Sequence, residues 1–170
     1  MSVIRGRVWK FGDEINTDVM APGIYFKLPI EEAIKHCLEA VDPTFAPGVQ
    51  PGDVVVAGRN FGVGSAREQA AMGFSGLQVG AILAVSFARI FYRNVLNLGV
   101  PALILPEAGE IAPGDQVRVD PVAGRVENLT QDKTYAVEPL PPHLMEMINA
   151  GGLMPYLKTR IAGEATHDSR

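Results

Sequence analysis

The stretch Ala57-Gly58-Arg59-Asn60-Phe61-Gly62-Val63-Gly64-Ser65-Ala66-Arg67-Glu68-Gln69-Ala70 concentrates the residue types that handle anions. Gly62 and Gly64 let backbone approach a ligand closely, and Ser65 stands where a following helix would be N-capped. The first N–H groups of that helix would face an anion with the helix dipole behind them. Arg67 falls in the expected first turn, where a cation opposes the dipole. An Arg placed against its helix beside an anion site points to a carboxylate or phosphate partner. The plainer reading is that Ser65 only caps the helix and Arg67 pairs with a surface acid. Common Gly-loop signatures do not fit. No Lys follows Gly64 as a P-loop requires, Arg67 occupies the third Gly position of a dinucleotide fingerprint, and Ser65 lacks the glycine spacing of a nucleophile elbow.

A second polar stretch, Gly12-Asp13-Glu14-Ile15-Asn16-Thr17-Asp18, precedes Pro22-Gly23-Ile24-Tyr25-Phe26-Lys27. Its acids lack the Gly and closing Glu of an EF-hand loop, so calcium is not indicated. By itself it reads as a solvated loop.

The elements that must position these residues follow from periodicity. Asp53–Ala57 contains the apolar run Val54-Val55-Val56, as in a buried parallel strand. Next come a helix over about 66–77, a strand over 79–85, a helix that Ser86 can N-cap and Gly99 ends, and a strand over 101–105. This β-α-β-α-β order places the Gly-rich loop past the carboxyl end of a parallel strand, where open α/β sheets bind ligands. Upstream, Ile30, Ala33, Ile34, Cys37, Leu38 and Val41 recur at helical spacing and predict one helix over 29–41. Cys37 reads there as a core residue. Downstream of Pro106, alternating segments at 116–119, 125–129 and 134–137 predict an antiparallel ribbon. A last helix over 142–150 precedes Gly151-Gly152, Leu153–Leu157 packs after it, and 162–170 reads as a frayed, flexible tail, leaving 1–161 as one domain. Pro-Gly-Asp occurs at 51–53 and 113–115, each time launching a strand. Arg89 and Arg93 share a helix face that is solvated or reaches the site, and Trp9 and Tyr92 read as core or interface anchors.

Composition removes whole classes of function. The 170 residues carry 15 Lys+Arg against 19 Asp+Glu, a net charge of −4, without the basic stripe that nucleic acid requires. Apolar residues make up 47%, enough for a core without disulfides at this length. No apolar run approaches membrane-spanning length. One cysteine and three scattered histidines rule out an internal disulfide, a zinc cluster or an iron–sulfur site built on this chain alone. The N-terminus has no apolar leader, which reads as cytoplasmic.

Three ordered motifs carry a family resemblance over nearly the whole chain. Gly58–Ala70 is similar to the Gly-x-Asn-Phe-Gly-x-Gly-Ser-Ser-Arg-Glu-His/Gln-Ala signature of the aconitase swivel domain. Asn16-Thr17-Asp18 with Pro22-Gly23-Ile24-Tyr25 resembles its upstream element, and Ser86–Asn94 matches a third stretch. A free-standing chain of this length resembles the small subunits of heteromeric hydro-lyases acting on isopropylmalate or homoaconitate. The resemblance implies a swivelling β/β/α domain of α/β class. It implies a large-subunit partner holding a [4Fe–4S] cluster on its own cysteines, with no metal bound by this chain. The substrate would be a small hydroxy acid, isomerised by dehydration and rehydration. Ser65 would move the proton, Arg67 would bind a substrate carboxylate, and Asp18 would orient the chemistry. Gly64, Ala66, Tyr25 and Lys27 would line the substrate. Ala66 replaces the family's usual second Ser, a departure that fits a different ligand or a non-catalytic anion-binding subunit. Phe26 and Leu28 favour a branched apolar substituent. Lys27 would either meet a further carboxylate, as on homoaconitate or aconitate-like substrates, or extend into water; a 2,3-dimethylmalate-type acid is a further alternative with no additional carboxylate.

Overall fold

The computed structural model describes residues 3–168. In chain order it contains β1 (Ile4–Lys10), α1 (Thr17–Met20), α2 (Ile30–Ala33), α3 (Phe45–Gly48), β2 (Val54–Ala57), α4 (Glu68–Gly76), β3 (Ala81–Ala84) and α5 (Arg89–Asn97). There follow β4 (Ala102–Ile104), β5 (Gln116–Asp120), β6 (Arg125–Asn128), β7 (Lys133–Ala136), α6 (Pro142–Asn149) and α7 (Leu153–Asp168). The parallel β-α-β-α-β core and the antiparallel C-terminal ribbon expected from the sequence are both present.

A seven-stranded sheet in the order β4-β3-β2-β1-β5-β6-β7 runs through the molecule. β1 is its pivot. It pairs in parallel with β2 (Trp9 opposite Val55) and antiparallel with β5 (Gly6 opposite Val117). The sequence reading missed this strand. Arg5 and Arg7 are exposed and alternate with the inward Ile4, Gly6 and Val8, but Gly6 has no side chain to mark the buried face, so the apolar pattern is thin. β2 and β3 are buried on both faces, which is why they read as continuous apolar runs.

Both Pro-Gly-Asp tripeptides build the same device. The Asp53 N–H donates to Gln50 O (2.9 Å) while its carboxylate accepts from the Gln50 N–H (2.9 Å). Asp115 and Ala112 repeat this pairing at 3.2 and 2.9 Å. The glycines take φ of +90° and +83°, the conformation such turns require. Each Asp also ties in a neighbour: Trp9 Nε1 donates to Asp53 (3.0 Å) and Asn128 Nδ2 to Asp115 (2.8 Å). The turns therefore launch the two strands that flank β1. Trp9 and Tyr92 are half-buried against the core, as anticipated.

The helix expected over 29–41 does not form as one element. α2 spans only Ile30–Ala33, a 3₁₀ turn covers Ile34–His36, and Leu38 is left-handed at φ +58°. The bend buries Cys37 and Leu38 together, Cys37 against Gly73 of α4, and turns Val41 out to solvent. The apolar spacing is thus met by a folded-back segment instead of one helical face. Helix starts also move. Ser65 does not cap α4; Arg67 occupies the N-cap in extended conformation, with no side-chain capping bond. Ser86 does not cap α5, whose N-cap is Ala88; its hydroxyl instead accepts the Asn60 N–H (2.9 Å). The expected tail at 162–170 is described only in part. Its backbone continues α7 through Asp168, and 169–170 lie outside the described residues.

Candidate active site

Three loops meet where β1, β2 and β3 end: residues 11–18, 58–67 and 85–88. The middle one is strapped to both neighbours. Gly62 N–H donates to Ile15 O (2.8 Å) and Thr17 N–H to Val63 O (2.9 Å). On the other side, Phe61 N–H reaches Ser86 O (3.1 Å) and Ala88 N–H reaches Phe61 O (3.0 Å). At the base, Asp13 accepts the Arg59 N–H (2.7 Å), which holds its carboxyl below the usual carboxylate range, and Asn60 Nδ2 donates to Glu14 (2.6 Å). Phe61 anchors the loop from below, packing against Phe74 and Phe91 with ring centroids 5.8 and 5.4 Å apart. Gly62 sits at φ +88°, and a Cβ there would lie 2.1 Å from the Phe91 ring. Only glycine fits both the conformation and the contact.

Above this base the loop opens into a cleft of about 340 Å³, lined by Thr17, Gly62–Arg67 and the start of α5 including Arg89 and Ile90. Gly64, Ser65 and Ala66 are exposed to it. The Ser65 carbonyl accepts from the buried Thr17 hydroxyl (2.8 Å) and from the Arg67 N–H (2.8 Å). The N–H groups of Ser65, Ala66, Glu68 and Gln69 have no backbone acceptor among the described residues. The Ser65 hydroxyl therefore sits beside a helix start with free donors, the arrangement that stabilises an oxyanion.

Arg67 is held on three sides. Its Nη2 lies 2.9 Å from Asp18 Oδ1, Nη1 donates to Ala21 O (3.1 Å), and the guanidinium lies 5.0 Å from the centroid of the Phe26 ring. The side chain remains 26% exposed, so the fork is aimed and still open to a ligand at its edge. Arg67 thus pairs with a surface acid, as the plainer reading has it, while part of its side chain stays exposed. The same Asp18 that pairs with it also presents it.

The structure brings Gly64, Ser65, Ala66 and Arg67 into one cleft, with Asp18 attached through Arg67. Tyr25 and Lys27 do not line that cleft. Tyr25 faces an apolar cavity of about 200 Å³ between the 22–28 loop and α4, together with Phe26, Leu28, Ile34, Cys37 and Met72. Its hydroxyl donates to Glu39, which raises the Tyr25 pKa, and its ring stacks on His36. Lys27 is exposed. Sequence reasoning missed Thr17 as a support of the Ser65 carbonyl. Its signal was a β-branched hydroxyl residue inside an otherwise polar loop.

Among the described residues, no three His, Cys, Asp or Glu side chains gather into a group that could hold a metal ion. Cys37 is buried, and desolvation pushes its thiol up to about 12. One buried thiol, with no group of donors gathered around it among the described residues, does not fit an iron–sulfur cluster.

Fold and cleft are those of an aconitase-type domain, and residues 30–108 match the Aconitase C-terminal domain family. The chain is 46% identical over 161 residues to the 3-isopropylmalate dehydratase small subunit of Moorella thermoacetica, covering 94% of this chain and 97% of that one. It is 50% identical over 158 residues to 3-isopropylmalate dehydratase small subunit 1 of Thermotoga maritima, covering 92% and 95%. The crystal structure of 3-isopropylmalate dehydratase (leuD) from Methanocaldococcus jannaschii superposes with a TM-score of 0.90 at 39% identity, covering 97% of this chain and 99% of that one. The chain belongs to the 3-isopropylmalate dehydratase small-subunit family.

Proposed function

We propose that this chain is the small subunit of a heteromeric hydro-lyase that isomerises 2-isopropylmalate and 3-isopropylmalate by removing and re-adding water. The observation that carries this reading is one cleft holding a serine hydroxyl, free helix-terminal N–H groups and a presented arginine, in a chain of this family. Ser65 takes the substrate proton in dehydration and returns it in hydration. A serine hydroxyl is a weak base near neutral pH, and the unpaired N–H groups beside it lower the cost of its alkoxide. Arg67 binds one substrate carboxylate through the open edge of its fork, and Asp18 keeps that fork aimed. The exposed ring of Phe26, which covers the Arg67 guanidinium, favours a branched alkyl substituent over a third carboxylate.

No donor set for an iron–sulfur cluster exists among this chain's described residues, so the reading places the [4Fe–4S] cluster on a large subunit. There it would supply the Lewis acid for the leaving hydroxyl. The described helices include none long and apolar enough to cross a membrane, and the reading assigns the complex to the cytoplasm.

The test is anaerobic co-purification with the large subunit, cluster reconstitution and an ultraviolet assay for the unsaturated acid. The panel is isopropylmalate, homocitrate, citrate and 2,3-dimethylmalate. Turnover of isopropylmalate that needs both chains is expected. Exclusive turnover of a tricarboxylate, lost on Lys27→Ala, would move the assignment to a homoaconitate-type substrate. A stable, cluster-loaded complex that turns over none of the acids would make the chain a non-catalytic subunit.

A further inference from the structure

We infer that Glu39 is a positioning residue that clasps the 22–28 loop in place over Arg67; this rests on the functional reading above. The loop's own hydrogen bonds are local: Tyr25 N–H to Pro22 O, Phe26 N–H to Gly23 O and Leu28 N–H to Tyr25 O. Its outer side chains Ile24, Phe26 and Leu28 are exposed. Beyond the contact of Phe26 with Arg67, such a segment is held chiefly by the side chain of Tyr25. That side chain is gripped twice. Its ring lies flat on His36, centroids 3.7 Å apart at 7°, and its hydroxyl donates to Glu39 Oε1. The His36 Nδ1–H donates to Glu39 Oε2 at 2.7 Å. One carboxylate thus uses both oxygens to lock two stacked rings, Tyr25 at the wall of the apolar cavity and His36 against it.

The consequence falls on Arg67. Phe26 follows Tyr25 directly and covers the guanidinium, so the placement of Tyr25 fixes what surrounds the arginine's open edge. Glu39 touches none of the cleft residues. Its effect on the reaction is carried by the loop, and it belongs to binding: an unclasped loop must be re-ordered each time substrate binds.

The expected result for Glu39→Ala in the reconstituted two-subunit enzyme is a KM for isopropylmalate raised by about 10-fold, with kcat within about 2-fold of wild type. Glu39→Gln restores KM to within about 3-fold, because its amide oxygen accepts from Tyr25 and its NH₂ donates to a neutral His36. In the small subunit alone, trypsin cleavage at the exposed Lys27 is expected to run about 10-fold faster in Glu39→Ala than in wild type. A KM unchanged in Glu39→Ala, or a fall in kcat that Glu39→Gln does not relieve, overturns the proposal. If the wild-type complex turns over no acid, the functional reading fails. The clasp is then judged on cleavage: faster cutting supports it and equal rates reject it.

Discussion

Thr17 is 2% exposed, and its hydroxyl is spent on the carbonyl of Ser65. A buried hydroxyl aimed at the backbone of the proposed base fixes where that base stands, and no other side chain bonds that carbonyl among the described residues. Thr17→Val keeps the shape and removes the donor, leaving one carbonyl lone pair unmet at about 1–2 kcal/mol. The expected effect is a kcat reduced by about 10–100-fold at nearly constant KM, with Thr17→Ser close to wild type. Equal losses in Thr17→Val and Thr17→Ser would mean that packing, not the hydroxyl, matters. Ser65→Ala is expected to lower kcat by about 10²–10⁴-fold with assembly intact; retained activity would remove Ser65 from the mechanism. At these positions the sequence was informative because it constrains chemistry directly. Gly62, Gly64, Ser65 and Arg67 could be singled out from residue type and spacing. Thr17 could not, because its role depends on a contact 48 positions away. The capping expected of Ser86 failed for the same reason, since it found a long-range partner in the Asn60 N–H; at Ser65 the helix begins later, after the Arg67 N-cap.

Strands whose burial is two-sided, β2 and β3, could be read from their apolar runs, and the ribbon from alternation and turns. β1 could not, since Gly6 stands at one of its inward positions and only Ile4 and Val8 mark the buried face before Trp9. The broken helix over 29–41 shows the converse. Its period was real, yet the clasp at Glu39 and the fit of Cys37 against Gly73 outweighed propensity. The Pro-Gly-Asp turns were visible as motifs, and the structure adds their energetic weight. Burial pushes the Asp115 carboxyl up, but hydrogen bonds from Asn128, the Ala112 N–H and Gln131, with the charge of Lys10, outweigh it and leave the pKa below its ordinary value. A depressed folded-state pKa gives stability that is complete above the unfolded value of about 3.9 and drains as pH falls through the lower folded value. Asp115→Ala is therefore expected to cost about 1–3 kcal/mol at neutral pH. It should also flatten the acid limb of a urea-midpoint profile. An unchanged acid limb would place the acid sensitivity on other carboxylates.

Taken whole, the molecule is a sheet whose central strands gather all the proposed chemistry at their carboxyl ends. The loops after β1, β2 and β3 form the cleft, while the ribbon of β5, β6 and β7 widens the sheet on the other side of the pivot. Thr17, Ser65, Arg67 and Arg89 line this cleft, and apolar side chains beside them are wet: Ile90 on its wall is 54% exposed, and Ile24 in the loop beside Arg67 is 80% exposed. Apolar side chains left in water around a polar site are what a closing partner would cover. A second apolar stripe, Met154, Leu157 and Ile161, lies on α7 away from the cleft, so the two faces make opposite forecasts. Ile90→Glu is a surface change worth less than about 0.5 kcal/mol to the isolated chain, yet it would bury a charge on closure. We expect it to leave thermal unfolding of the small subunit unchanged and to weaken assembly with the large subunit by at least about 10-fold, measured by titration calorimetry. Met154→Glu should assemble like wild type. The reverse pattern would seat the partner on α7 and leave the cleft facing solvent, in which case Ser65 would lack the dry surroundings its alkoxide needs.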